Sequence, residues 1–323
     1  MMSGFSSNSI PSPALVVINQ GDASLSIVDP ERNIEAAVMV EGVPATVGHE
    51  VATSRNGRLA YVPLYSNSGL GVPGTDGRFI LVIDLSTLKI LDRIDLARGL
   101  RPHCILYEKN SNLLYVTTEL ENTVSVIDPD RMTVIAKIPT GHEQSHMMAI
   151  THDGLRGYTS NVSSGTISVL DLRKRKFLKS IRVSNKIQRI SISNDDKFVF
   201  TADQTKPQLA VVSTSTHKVV HRIELPSLGY GSASTLDGRS LIVTLPTENQ
   251  VAVVDLHTLT VRCTILVGVR PQEVLIRPDR QVAYVSCFGA TYVTTIDTSS
   301  WRVIAKIAVG RKPDGMAWAS APK

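Results

Sequence analysis

The chain repeats itself at a nearly fixed interval. A bulky core residue followed by a short apolar run recurs at Tyr115, Tyr158, Phe200, Ile242 and Tyr284, in steps of 43, 42, 42 and 42 residues. Tyr61 opens the series, 54 residues before Tyr115. A unit this short cannot bury its own apolar face, so each copy must pack against the next. The interval falls within the roughly 40–45 residues of a propeller blade.

Each repeat reads as four short strands. The first is exemplified by Met147-Met148-Ala149-Ile150-Thr151, followed by turn formers such as His152-Asp153-Gly154 or Leu236-Asp237-Gly238. The second is an apolar run such as Leu114-Tyr115-Val116-Thr117, typical of a strand buried on both faces. The third ends on an aspartate turn (Asp128, Asp171, Asp255, Asp297), and the fourth alternates, as in Arg302-Val303-Ile304-Ala305-Lys306-Ile307. The N-terminal segment supplies strands two to four of a seventh unit, and Gly315-Met316-Ala317-Trp318-Ala319 supplies its first. The expected fold is therefore all-β: a seven-bladed β-propeller with four antiparallel strands per blade, its seventh blade closed by both termini. The expected organisation is a tail over residues 1–13 and one domain over 14–320. The longer first step is assigned to an insertion at about 66–77, rich in glycine, serine and asparagine.

Composition narrows the function. Hydrophobic residues make up 42% and charged residues 20%, ordinary for a globular chain with a substantial core. The net charge of +5 suits an anionic small molecule, but the single basic run, Arg173-Lys174-Arg175-Lys176, falls in a turn. Aromatics are 5% and not interleaved with basic residues, so a nucleic-acid platform is not expected. Cys104, Cys263 and Cys287 are too few, and odd in number, for a disulfide framework. No stretch approaches the ~18 apolar residues of a membrane span, so no membrane partner is expected. The start lacks a basic segment followed by an apolar core, which points to a cytoplasmic protein with reduced thiols. Nothing specifies the oligomeric state.

Counting back twelve residues from each core anchor gives His49, His103, His146, Gln188, Tyr230 and Gln272. Aligning Lys312-Pro313-Asp314 with Arg101-Pro102-His103 adds Asp314. In a propeller the first strand of each blade lines the central channel, so this polar register should form a ring at one mouth. Three adjacent imidazoles suit a divalent metal ion such as zinc, iron, manganese, copper or nickel, with His49, His103 and His146 as ligands and Asp314 as a further ligand or orienting group. Glu50, Glu143 and Tyr230 are the candidate proton-transfer groups. A second register, two residues before the ring, carries Arg101, Lys186, Arg270 and Lys312. With Arg189, Gln188 and Gln272 these would clamp a small anionic molecule at the channel. Cys104 adjoins His103, but strand alternation turns it towards the core.

Tyr115-Val116-Thr117-Thr118, Tyr158-Thr159-Ser160-Asn161, Tyr284-Val285-Ser286-Cys287 and Tyr61-Val62-Pro63-Leu64 resemble the tetrapeptide of the YVTN-type β-propeller repeat family. The resemblance spans nearly the whole chain, and with it comes likeness to lactonase-like and haem-d1-like seven-bladed propellers. It implies the fold and a range of functions that includes hydrolases, cofactor binders and cell-surface proteins. It transfers no active-site residue.

Two readings follow from the residues. The first is a metal-dependent enzyme, hydrolase or lactonase-like, lyase or isomerase, acting on an anionic oxygenated molecule at the channel mouth. The alternative is a non-catalytic scaffold or ligand carrier. A haem-binding propeller would also use histidine. Clustering of the histidines on one side of the ring favours a localised site over a scaffold face.

Overall fold

The computed structural model describes residues 11–42 and 46–320, so most of the N-terminal tail, residues 1–10, lies outside the described residues. Seven antiparallel sheets are arranged around a channel. We number the blades from the first complete one. Blade 2 is typical, with strands Pro102–Glu108, Leu113–Thr118, Thr123–Asp128 and Thr133–Pro139 running from the channel outwards. The innermost strands of blades 3 to 6 are Ser145–Ile150, Ile187–Ile192, Ser232–Ser234 and Pro271–Ile276. Blade 1 begins with two fragments, Val47–Gly48 and Ala52–Thr53, interrupted around His49. In blade 7 the C-terminal strand Pro313–Ala319 pairs with Ala14–Asn19, Leu15 facing Trp318 and Val16 facing Ala317. Both chain ends therefore share one sheet, which leaves no open edge at the closure.

The core lies between blades, not on the axis. Second strands are buried along nearly their whole length, and Tyr158, Phe200 and Tyr284 are almost inaccessible. Each such aromatic is worth roughly 3–5 kcal/mol over alanine. Fourth strands alternate exposed and half-buried residues, as the sequence pattern requires. The aspartate turns are side-chain capped: Asp128 accepts the N–H groups of Asp130 and Arg131, and Asp297 those of Ser299 and Ser300.

The tetrapeptide has a structural role that its third residue reveals. Opposite Thr117, the first strand of blade 2 carries two residues, His103 and Cys104, a β-bulge. The same irregularity recurs at Gln188–Arg189, Gln272–Glu273 and Asp314–Gly315. The Thr117 hydroxyl accepts the Cys104 N–H at 3.0 Å and donates to the His146 carbonyl of the next blade at 2.8 Å. Thr244 does the same between Gly231 N–H and the Gln272 carbonyl, at 2.8 and 3.0 Å. One hydroxyl thus satisfies the bulge and ties it to its neighbour. Gly231 is required there, because a Cβ would meet the Gln272 carbonyl oxygen at 2.2 Å.

Candidate functional site

The bulge decides what reaches the channel. Plain alternation would point only the ring residue inwards; at the blade 4 bulge Arg189 lines the cavity beside Gln188, whereas Cys104 at the blade 2 bulge stays in the core. All seven ring positions, His49, His103, His146, Gln188, Tyr230, Gln272 and Asp314, line one cavity of about 190 Å³ at the mouth. The expectation that this register converges is met across the whole circle.

One side is an aromatic cluster. The His103 and His146 rings lie 3.7 Å apart, tilted by 33°, and the His49 and His103 rings 5.3 Å apart. Tyr65 packs among them, 4.8 Å from His49 and edge-on to His103 at 5.0 Å. Its hydroxyl donates to buried Glu119 at 2.6 Å, and the same Glu119 oxygen lies 3.7 Å from His146 Nδ1. Burial pulls the pKa of His49 down to about 3, helped by His146 and Arg189. Burial also holds His103 well below the usual histidine range. Both rings are therefore neutral near pH 7. Nδ1 of His103 and of His146 is buried with no hydrogen-bond partner among the described residues, a costly arrangement.

The opposite side is ionic. Arg189 is buried against three carboxylates: Asp314 at 2.8 Å, Glu50 at 3.0 Å and Glu273 at 4.0 Å. Gln20 donates to the second oxygen of Asp314 at 2.5 Å, and the Arg189 guanidinium lies over Tyr230 at 5.3 Å. One cation cannot neutralise three buried anions. Burial raises Glu50 well above its ordinary value and lifts Glu273 to about 7, each opposed by Arg189 and reinforced by its carboxylate neighbours. Asp314 is raised for the same first reason. Burial pushes Tyr230 up to about 12, with Arg189 opposing. The cluster holds at least one proton near neutrality.

Several candidates take other places. Glu50 stands behind the wall as a partner of Arg189, whose guanidinium is thereby committed to carboxylates of the chain itself. Glu143 lines a separate groove beside Asp76 and Glu119. Arg101 is buried and binds the insertion, with Nε 2.5 Å from Asp76 and other nitrogens on the Gly69 and Val72 carbonyls. Arg270 and Lys312 rest over the Phe288 ring at 5.2 and 5.7 Å. They line a groove of about 480 Å³ that shares Arg270 and Phe288 with the ring cavity. Neither makes a salt bridge to an acidic side chain among the described residues. Cys104 is buried, as alternation suggested, and burial raises its thiol pKa strongly.

Sequence reasoning missed Gln20, Tyr65, Leu70, Glu119, Glu273 and Phe288. A signal existed for four of these. The residue four past each anchor leaves the second strand at the same mouth, and that register gives Tyr65, Glu119 and Phe288, with Gln20 in blade 7. Glu273 sits at the bulge, one past the ring. Leu70 belongs to the insertion, where repeat logic gives no register.

The divalent-metal assignment is corrected. The described residues contain no group of three histidine, cysteine, aspartate or glutamate side chains placed to hold a metal ion. His103 and His146 present ring faces to one another instead of converging nitrogens, and the Asp314 carboxylate is taken by Arg189 and Gln20. The comparisons with known proteins also point away from a lone zinc, iron, manganese, copper or nickel ion.

A family model described as Cytochrome D1 heme domain matches residues 108–232, under half the chain but including His146, Gln188, Arg189 and Tyr230. Among solved structures, Kuenenia stuttgartiensis Hydrazine Synthase superposes with a TM-score of 0.72 at 17% identity, over 87% of this chain and 93% of that one. The structure titled Dihydro-heme d1 dehydrogenase NirN in complex with DHE gives a TM-score of 0.67 at 14% identity, over 98% and 77%. These likenesses establish the propeller fold. They lend no support to a hydrolase, lactonase or lyase. A comparison with curated proteins found no match.

Proposed function

We propose that this propeller is a haem-binding or redox-related protein whose ligand site is the ring cavity together with the Arg270–Lys312 groove. The observation that carries the reading is His146. It lines the cavity, lies within the stretch that resembles the haem domain, and has an unpartnered Nδ1 facing the Glu119 carboxylate at 3.7 Å. A ligating imidazole almost always directs its other nitrogen at a carboxylate or carbonyl, and Glu119 lies on that side of His146, 3.7 Å away and beyond hydrogen-bond distance. Size is consistent only for the combined space. The ring cavity alone, about 190 Å³, is below the roughly 300–1,000 Å³ of sites for drug-sized ligands, whereas the adjoining groove adds about 480 Å³.

The residues divide the work. His146, with His49 and His103 beside it, would hold the group through an imidazole. Arg270 and Lys312, without acidic salt-bridge partners among the described residues, would bind carboxylates of the macrocycle. Phe288 offers an apolar face between them. The bound group would supply one-electron chemistry. Glu273 and its neighbours hold a proton one guanidinium behind the cavity wall.

A second reading rests on the cavity volume: a small anionic molecule bound without any macrocycle. Titration of the protein with haemin, followed by absorbance, separates the two. The haem reading expects a saturable, red-shifted Soret band that His146→Ala weakens and Arg270→Gln/Lys312→Gln loosens. Absence of saturable binding in the unaltered protein would overturn it.

A further inference from the structure

We infer that the insertion of blade 1 is a gate over the three-histidine sector, with Leu70 as its plug and Arg101 as its latch. The placement is specific. The insertion leaves blade 1, which carries His49, immediately after Tyr65. Its tip residue Leu70 is the one aliphatic side chain lining the ring cavity. From there the loop reaches the residue two before each of the other histidines, bonding the first and lying against the second. Arg101, two before His103, is only 4% exposed and binds the loop through Asp76, Ser68 and the carbonyls of Gly69 and Val72. Gln144, two before His146, meets the tip: a Cβ on Gly71 would lie 3.1 Å from its Nε2. The loop thus meets residues of all three histidine blades.

Its two ends are rigid and its tip is not tied by secondary structure. Gly77 N–H donates to the Tyr65 carbonyl at 2.6 Å, and the Gly77 carbonyl accepts the N–H groups of Leu100 and Arg101. Between them the tip closes a turn on itself, Val72 N–H donating to the Gly69 carbonyl at 3.1 Å and the Ser68 hydroxyl to the Val72 carbonyl at 2.8 Å, and it is bonded to blade 2 through the Arg101 guanidinium. That guanidinium also lies over the Tyr65 ring at 5.7 Å, so the latch contacts both the gate and the histidine cluster. With the gate shut, only a ligand small enough for the ring cavity enters. A larger planar ligand requires Leu70 to lift, which unites the cavity with the open rim.

The gate deepens the proposed function, yet its test does not depend on haem. Diethyl pyrocarbonate carbethoxylates accessible neutral imidazoles, and peptide mass spectrometry reads each site. Exposed His221 and His257 serve as internal controls. Asp76→Asn loosens the latch; Leu70→Ala removes the plug and leaves the latch intact. Both should raise the modification rate of His49, His103 and His146 with the controls unmoved, Asp76→Asn by about tenfold, the change expected on losing one hydrogen bond to a charged group. Haemin titration of the same variants is read separately. Faster histidine modification without haemin binding would keep the gate and sink the haem reading. Unchanged rates in both folded variants would overturn the gate, whatever haemin does.

Discussion

Glu273 offers the sharpest test of the buried ionic cluster. It is lifted from 4.5 to about 7, first by burial, and its side chain is 20% exposed. A group raised in the folded state binds its proton more tightly there than when unfolded. Its contribution to stability is full below the unfolded pKa near 4.5 and disappears as pH rises through about 7. The shift corresponds to on the order of 3 kcal/mol between pH 4 and pH 8. Glu273→Gln removes the titration while keeping the shape. The amide oxygen can still accept the Met316 N–H now held at 2.7 Å, and the pairing lost with Arg189 is a long 4.0 Å contact. The variant should match the parent near pH 5 and exceed it by roughly 2–3 kcal/mol at pH 8. Urea denaturation at several pH values, with the slope checked for constancy, reads the difference. A variant less stable than the parent at pH 8 would show that Glu273 is ionised and paired with Arg189, and the reasoning about an overcrowded cluster would fail.

Two further outcomes follow from the scaffold. Thr117→Val keeps shape but strands the Cys104 N–H and the His146 carbonyl, so it should cost about 2–4 kcal/mol by denaturation; a loss below 0.5 kcal/mol would remove the inter-blade clamp from the account. Deleting the last ten residues takes away most of the strand paired with Ala14–Asn19 and should abolish cooperative unfolding of the whole domain, seen by circular dichroism, not merely lower its midpoint.

The repeat interval was enough to specify the blades, their number and the closure, because a unit of this length is stable only when stacked. It also placed the ring, since one register of a first strand has one position relative to the channel. Register alone did not assign roles within the ring. Arg101 and Arg270 occupy equivalent positions, yet one is buried in the insertion and the other faces an open groove. That difference depends on a loop outside the repeat.

What the sequence determined by itself was periodic: strands, turns, blade count and a convergent polar circle. Tertiary structure decided everything that depends on which blades become neighbours and how closely. The closed ring brought Glu50, Arg189 and Glu273, from three different blades, into one ion cluster. Tyr65 and Glu119, from separate blades, met behind His146. Leu70 came to rest over histidines that no local pattern connects to it. Local propensity acts over a few residues and the repeat over one blade. Distances between side chains on different blades, and hence charge state and cavity size, are set only when the ring closes.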